Sequence, residues 1–387
     1  MLQAITKENK FVVPALIRKS NIPKLRSDTY YCPSCKEQVI LRAGDYVIPH
    51  FAHQRISACS QRQGESKTLL LGKFQLFHWL YMQNLSPHLE QYLPKINQYP
   101  DILLSFREKY FAMEYQCSKI QAKKLQKRSN GFHATNIYPI WILGANRLRK
   151  IGSQTMKMDS FTSQAIHQFA PHMPTQLFYY CPQKQQLLLV SDIYFTHHQR
   201  AVARFTYSSL KYKPFTYLFK PPPLSQAQLC RSWLPIKQDI RLNSRPVYGK
   251  EKLFRKWLYS KKLHVQQLPS IIFLPNKAQH RMNLPLLHWQ ATFIIDFLHP
   301  LAIGKSFTIR EIHNCLASSP FSKTPRLHTS MINNPIKLYI EQLAQLGIVS
   351  KCDHQRWMKR RPVLFFNNIE RGLTGDELIL EALYKKG

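Results

Sequence analysis

YPDILLSFREKYFAMEYQCS, residues 99–118, sets Asp101 and Glu114 in two otherwise apolar runs joined by the polar tripeptide REK. Runs of this length and composition, Tyr99 to Phe106 and Tyr110 to Cys117, read as the two strands of a hairpin. If the turn centres between Arg107 and Glu108, paired residues sum to a constant and Asp101 lies opposite Glu114. Facing carboxylates repel, and a carboxylate near a buried surface forfeits several kcal/mol of hydration. A cation, a metal or a set of hydrogen-bond donors is therefore expected beside them. Alternation along the second strand puts Glu114 and Gln116 on one face, Met113 and Tyr115 on the other. Glu65, at the start of the preceding helix, can be brought over the same face. Asp101, Glu114 and the backbone carbonyl of Tyr115 would then bind Mg²⁺ or Mn²⁺ and leave positions for water and phosphate.

Outward from the hairpin, ESKTLLLGKFQLFHWLYM spaces Leu69, Leu70, Phe74, Phe77, Leu80 and Tyr81 three and four residues apart, the pattern of a core-packing helix. SKIQAKKLQKRS reads as a basic helix capped by Ser118, and NIYPIWILG as another strand. Helix, hairpin, helix, strand is an α/β unit, placed at residues 61–150. QLFYYCPQKQQLLLVSDIYF holds further strands and GKEKLFRKWLYSKKL a basic helix, so residues 151–284 read as a basic extension of that core. Pro221 to Pro223, in FKPPPLSQ, suggest a boundary or a rigid linker.

Residues 285–387 are mainly helical. PLLHWQATFIIDFL, TIREIHNCL and NPIKLYIEQLAQL read as three helices, the third with Asn334 as cap and Pro335 at its first position, and Gly347 stops it. IVSKCDHQRWMKRRPVLFF then reads as a hairpin with Arg356, Lys359, Arg360 and Arg361 near its turn. This is the order of a winged helix, although the gap between the second and third helices is longer than a compact helix-turn-helix uses. A plain helical domain with a basic surface is the alternative. In either, the four basic residues are candidates for nucleic-acid contact.

Near the start, CPSCKEQVILRAGDYVIPHFAH gives Cys32 and Cys35 two residues apart, then Gly44 in a turn, then His50 and His53 with the same spacing. Two ligand pairs joined by a short hairpin are what a tetrahedral site needs, and thiolates with imidazoles suit zinc. Cys59 could replace one histidine. A module as small as residues 1–60 has little apolar area to hold it together without such a staple.

The chain of 387 residues, 44% hydrophobic, can bury real cores in two or three domains. Its 55 Lys and Arg against 21 Asp and Glu give a formal charge of +34, which points to a polyanionic partner. Aromatic residues at 12% could stack against single-stranded bases. No apolar run is long enough to span a membrane, and MLQAITKENKFVV lacks the features of a secretory signal, so a cytoplasmic protein is expected. Eight cysteines, three of them clustered near the start, fit reduced thiols plus one metal site better than a disulfide framework.

Pro100, Asp101, Glu114 and Gln116 resemble the Pro-Asp and Glu-x-Lys signature of the PD-(D/E)xK nuclease superfamily, with Gln116 where lysine is expected. The succession CPSC, PHFAH, GESKTLLLGK, YPDILL, MEYQCS and YPIWILG, over Val13 to Gly144, resembles the competence protein CoiA family. That resemblance implies a zinc-finger-like module, a restriction-endonuclease-like α/β core and a part in natural transformation. Incoming single-stranded DNA would be handled there for recombination together with the strand-exchange recombinase. It also implies Glu65, Asp101, Glu114 and Gln116 as the site, with Lys73 and Arg128 as candidate phosphate contacts. Lys119 and Lys123 add positive field nearby. Leu69 stands where a histidine is expected, which removes an imidazole base but leaves metal-activated water intact. The alternatives are a DNA-binding recombination mediator that keeps the fold without turnover, and an RNA-associated scaffold.

Overall fold

A computed structural model describes the chain except residues 45–46, 55–58, 60–65, 198, 244–245, 321–333 and 385–387. At the N-terminus β1 (Ala4–Ile5), β2 (Phe11–Val12), the short helix α1 (Ile22–Leu25), β3 (Tyr30–Tyr31), β4 (Gln38–Gly44) and β5 (Val47–His53) follow one another. The five strands form an antiparallel sheet in the order β2-β1-β3-β4-β5. Its own core is small: Met1, Ala4, Tyr30, Cys32, Val39 and Phe51.

The helix α2 (Lys67–Tyr81) starts at Ser66, whose hydroxyl accepts the Leu69 N–H. Then come β6 (His88–Leu89), β7 (Ile102–Phe106), β8 (Lys109–Gln116), α3 (Ala122–Ala134), β9 (Ile137–Gly144), β10 (Thr155–Lys157), α4 (Ser160–Gln164), β11 (Gln176–Cys181), β12 (Gln186–His197) and β13 (Arg200–Ser209). All eight strands share one sheet, ordered β10-β13-β12-β11-β9-β8-β7-β6. The β7-β8 hairpin turns on Arg107 and Glu108, both left-handed at φ 48° and 62°, as a tight two-residue turn requires. Ile102 pairs with Met113 and Phe106 with Lys109, so the register brings Asp101 opposite Glu114. From β8 the chain crosses over through α3 to β9, which runs parallel to both β8 and β11.

Alternate residues cover the two faces of this sheet. Leu70, Leu76, Phe77 and Leu80 of α2 pack on Phe111, Met113, Tyr115, Ile140 and Ile142. Leu125 of α3 and Phe161 of α4 pack on Trp141, Leu143, Leu177 and Tyr179 from the other side. Close approach of α2 depends on Gly72: a Cβ there would stand 2.1 Å from the Tyr115 ring.

The C-terminal part contains α5 (Gln226–Leu242), α6 (Gly249–Ser260), α7 (Leu286–Thr292) running into a π-helical turn over Phe293–Leu298, β14 (Ser306–Thr308), α8 (Ile309–Ala317), α9 (Pro335–Gln345), β15 (Val349–Lys351), β16 (Arg356–Lys359) and α10 (Ile369–Tyr384). Helix, strand, helix, helix, strand, strand with the sheet order β14-β16-β15 is the arrangement of a winged helix. Asn334 Oδ1 accepts the Ile336 N–H at 2.9 Å, Pro335 opens α9, and Gly347 ends it at φ 70°.

Beyond residue 150 the chain is shared between two cores. Strands β10 to β13 complete the sheet begun at β6, whereas α5, α6 and the segment up to Leu284 share one core with the winged-helix elements. Strand character is local, but a strand's place in a sheet is set by partners distant in sequence. The chain passes from one core to the other near Pro221 to Pro223, where Pro222 O accepts Ser191 Oγ at 2.6 Å and Pro223 O accepts Arg204 at 2.8 Å. Among the described residues no helix is long and apolar enough to cross a membrane.

Candidate active site and metal centre

Asp101 and Glu114 meet at the carboxyl end of β8, beside the parallel pair β8 and β9, where ligands gather in open α/β sheets. Both line a cavity of about 650 Å³ together with Leu69, Lys73, Glu90, Gln116, Lys124, Lys127 and Arg128. The positive partner that the pairing of acids demands is supplied by the protein itself, from both flanking helices. Lys73 Nζ of α2 lies 3.1 Å from Asp101 Oδ1 and 2.7 Å from Glu90 Oε1. Arg128 of α3 bonds Glu114 Oε1 and also donates to the Tyr99 carbonyl at 3.0 Å. Asp101 Oδ2 accepts the Tyr115 N–H at 2.8 Å. Burial pushes the Glu114 carboxyl up to about 8, against the pull of Arg128 and with the push of Asp101.

Glu90 is the member that sequence reasoning missed. It sits at φ 46°, its N–H bonds the Asp101 carbonyl at 3.1 Å, and Oε2 accepts the Leu2 N–H at 3.3 Å. It lies in the loop preceding β7 with no periodic signal, so only the fold brings it there. Lys73 is thus shared between Glu90 and Asp101, while Arg128 holds Glu114. Gln116 shares the cavity face with Glu114, and its amide donates to Ser118 O at 3.0 Å and Ser118 Oγ at 2.8 Å. Ser118 therefore turns back to β8 rather than capping α3, whose cap is Gln121. Leu69 projects into the cavity, so no imidazole does so from that position. Glu65 lies outside the described residues.

The basic candidates divide. Lys73 is 2% exposed and engaged by two carboxylates, so it is corrected from a phosphate contact to a buried partner of the acids. Lys119 is exposed and 3.7 Å from Asp159. Lys123 is exposed on α3 but does not line the cavity; Lys124 and Lys127 do, four and one residues N-terminal to Arg128. The i, i+3, i+4 spacing of 124, 127 and 128 carries that signal. In the winged-helix hairpin Arg356, Arg360 and Arg361 are exposed. Lys359 is corrected as well: strand alternation buries it with Trp357, and its ammonium donates to the carbonyls of His299 at 2.9 Å and Leu301 at 2.7 Å.

In the N-terminal module Cys32, Cys35, His53 and Cys59 each offer a ligand atom, all within 4.8 Å of one another. Cys32 Sγ is 3.8 Å from Cys59 Sγ and Cys35 Sγ is 3.2 Å from His53 Nε2. Zinc–sulfur bonds of about 2.3 Å in a tetrahedron imply sulfur atoms about 3.8 Å apart, so the donor set fits a bound metal ion. His50 is corrected: three residues before His53 on β5 it faces the other way, and its Nδ1 lies 2.8 Å from Ile48 O. Cys59 takes the fourth place. Burial pushes the Cys32 thiol up to about 12.

Three family models match in succession. Competence protein CoiA, N-terminal domain, covers residues 15–62; its nuclease-like domain covers 65–223; its C-terminal domain covers 229–373. The chain is 28% identical over 361 residues to Competence protein CoiA of Bacillus subtilis (strain 168), across 88% of this chain and 92% of that relative. No solved structure matches.

Proposed function

Because this chain belongs to the competence protein CoiA family and carries its nuclease-like domain, we propose that it acts on DNA internalised during natural transformation, as a metal-dependent nuclease of the PD-(D/E)xK type. One observation carries the reading: Asp101, Glu114 and Gln116 converge on a single cavity at the end of a parallel strand pair, beside Lys124 and Lys127. The carboxylates are hard oxygen donors of the kind Mg²⁺ or Mn²⁺ takes. Such an ion, when bound, supplies charge stabilisation and a more acidic water. For Glu114 to serve as a ligand Arg128 must release it, and the freed guanidinium then joins Lys124 and Lys127 as a phosphate contact. Lys73 provides, through Asp101, the positive charge that a lysine at position 116 would bring. Gln116 orients the water by hydrogen bonding.

The same network favours a second reading. Both proposed metal-binding acids are already paired with a cation, Asp101 with Lys73 and Glu114 with Arg128, which suits a fold kept for gripping DNA without turnover, a recombination mediator. The two part in one assay: protein and its Asp101→Ala variant incubated with single-stranded and duplex DNA and Mg²⁺ or Mn²⁺. Cutting that needs the metal and falls by about 100-fold or more in the variant supports the nuclease. No cutting, with salt-sensitive binding intact in both, supports the mediator. Structural zinc on Cys32, Cys35, His53 and Cys59, a preference for single strands, cooperation with the strand-exchange recombinase and a cytoplasmic location complete the proposal.

A further inference from the structure

The Cys-x-x-Cys knuckle and the acid cavity are joined by a short chain of contacts centred on Tyr99. Its phenol donates to Ser34 Oγ at 2.7 Å, and Ser34 lies between Cys32 and Cys35. Its carbonyl accepts from Arg128, the same guanidinium that holds Glu114. Asp101 follows after the stiff Pro100 and receives the Tyr115 N–H. The Tyr99 ring lies on the Tyr92 ring with centroids 4.7 Å apart, which holds the phenol in line with Ser34. Burial keeps the phenol above its ordinary titration range, so it remains a donor. One residue thus bonds the knuckle with its side chain and the pocket with its backbone. The knuckle is a tight turn, closed by Lys36 N–H to Cys32 O at 3.0 Å and Cys32 N–H to Glu37 O at 2.8 Å. With so small an apolar core around it, the shape of that turn depends on its ligands being held together.

We propose that Tyr99 is a positioning residue through which metal occupancy of the Cys32, Cys35, His53, Cys59 cluster sets the geometry of the Asp101 and Glu114 pocket. The coupling presupposes the metal-binding reading of that cluster and does not require that the pocket cut DNA. A metal-held knuckle fixes Ser34; Ser34 fixes the Tyr99 phenol; the Tyr99 backbone then presents its carbonyl to Arg128 and starts the turn that aims Asp101 at Tyr115.

Amide hydrogen exchange at Tyr115 reads this directly, since its N–H bonds Asp101. Full-length protein is loaded with Zn²⁺, stripped with a chelator and reloaded. Stripping is expected to speed Tyr115 exchange about tenfold and reloading to restore it, with Leu188, a strand residue remote from both sites, unchanged. Tyr99→Phe keeps the ring and the full zinc content, yet exchanges at the fast rate with or without zinc. Ser34→Ala reproduces this from the other end of the bond. Wild-type Tyr115 exchange indifferent to zinc, a Tyr99→Phe protein that still responds to it, or Leu188 accelerating equally on stripping would each overturn the coupling. A chain that takes up no zinc at all, seen by metal analysis alone, overturns the metal reading and the coupling with it.

Discussion

Cys59 and His50 show how much one residue's facing decides. Both stood as candidate ligands, and alternation along β5 separates His50 from His53 while the chain brings Cys59 back to the knuckle. On the proposed zinc reading, Cys59→Ser should abolish or severely weaken zinc uptake, and His50→Ala should leave one ion per chain, as metal analysis will show. Lys73 carries the second prediction. Its ammonium is buried between Glu90 and Asp101, so Lys73→Met leaves two carboxylates short of a partner and should cost roughly 3–5 kcal/mol in urea unfolding. Lys119→Ala breaks a pair whose lysine is largely exposed and should cost about 0–1 kcal/mol. Asp101, Glu114 and Gln116 line one cavity, a proximity that residue types along the chain could suggest because hairpin register is a local property. Residue types could not tell a lysine that meets phosphate from one that neutralises its neighbours.

Elements were legible where a periodic pattern met a turn or cap. The two-residue turn at Arg107 and Glu108, the Asn334 cap and the Gly347 stop all follow from chemistry within a few residues. Faces were less legible: α3 presents Lys124, Lys127 and Arg128 to the cavity and turns Lys123 away, and β16 buries Lys359. His167 makes a testable case of tertiary override. Its imidazole accepts the Trp141 N–H of β9 at 3.0 Å and stacks on Phe169, and burial pushes it down to about 4. A histidine depressed in the folded state stabilises fully above its unfolded pKa of about 6.5 and loses that contribution as pH falls toward 4. The folded protein should therefore lose roughly 3 kcal/mol from this group over that window, and a His167→Gln variant, which still offers an acceptor, should show a shallower acid limb in thermal melts followed against pH.

At the scale of the whole molecule the charge of +34 makes a salt-dependent grip on nucleic acid the expected behaviour. Affinity for a single-stranded oligonucleotide, followed by fluorescence anisotropy, should fall by roughly 10³-fold between about 50 and 200 mM salt. Replacing Lys124 and Lys127 with alanine should reduce the slope of that dependence by about 1.4, the share of two phosphate contacts on a single strand. An unchanged slope would take the cavity rim out of the binding surface. Composition, the hairpin with its acids, the paired cysteines and the winged-helix order were determined by the sequence itself, since each rests on charge count or on residues close along the chain. The tertiary structure alone decided that β10 to β13 belong to the central sheet, that Glu90 enters the pocket, and that Lys73 is shared by Glu90 and Asp101 while Arg128 takes Glu114. Those outcomes depend on which distant segments share a core, and a buried charge is satisfied by whichever partner the packing brings within reach.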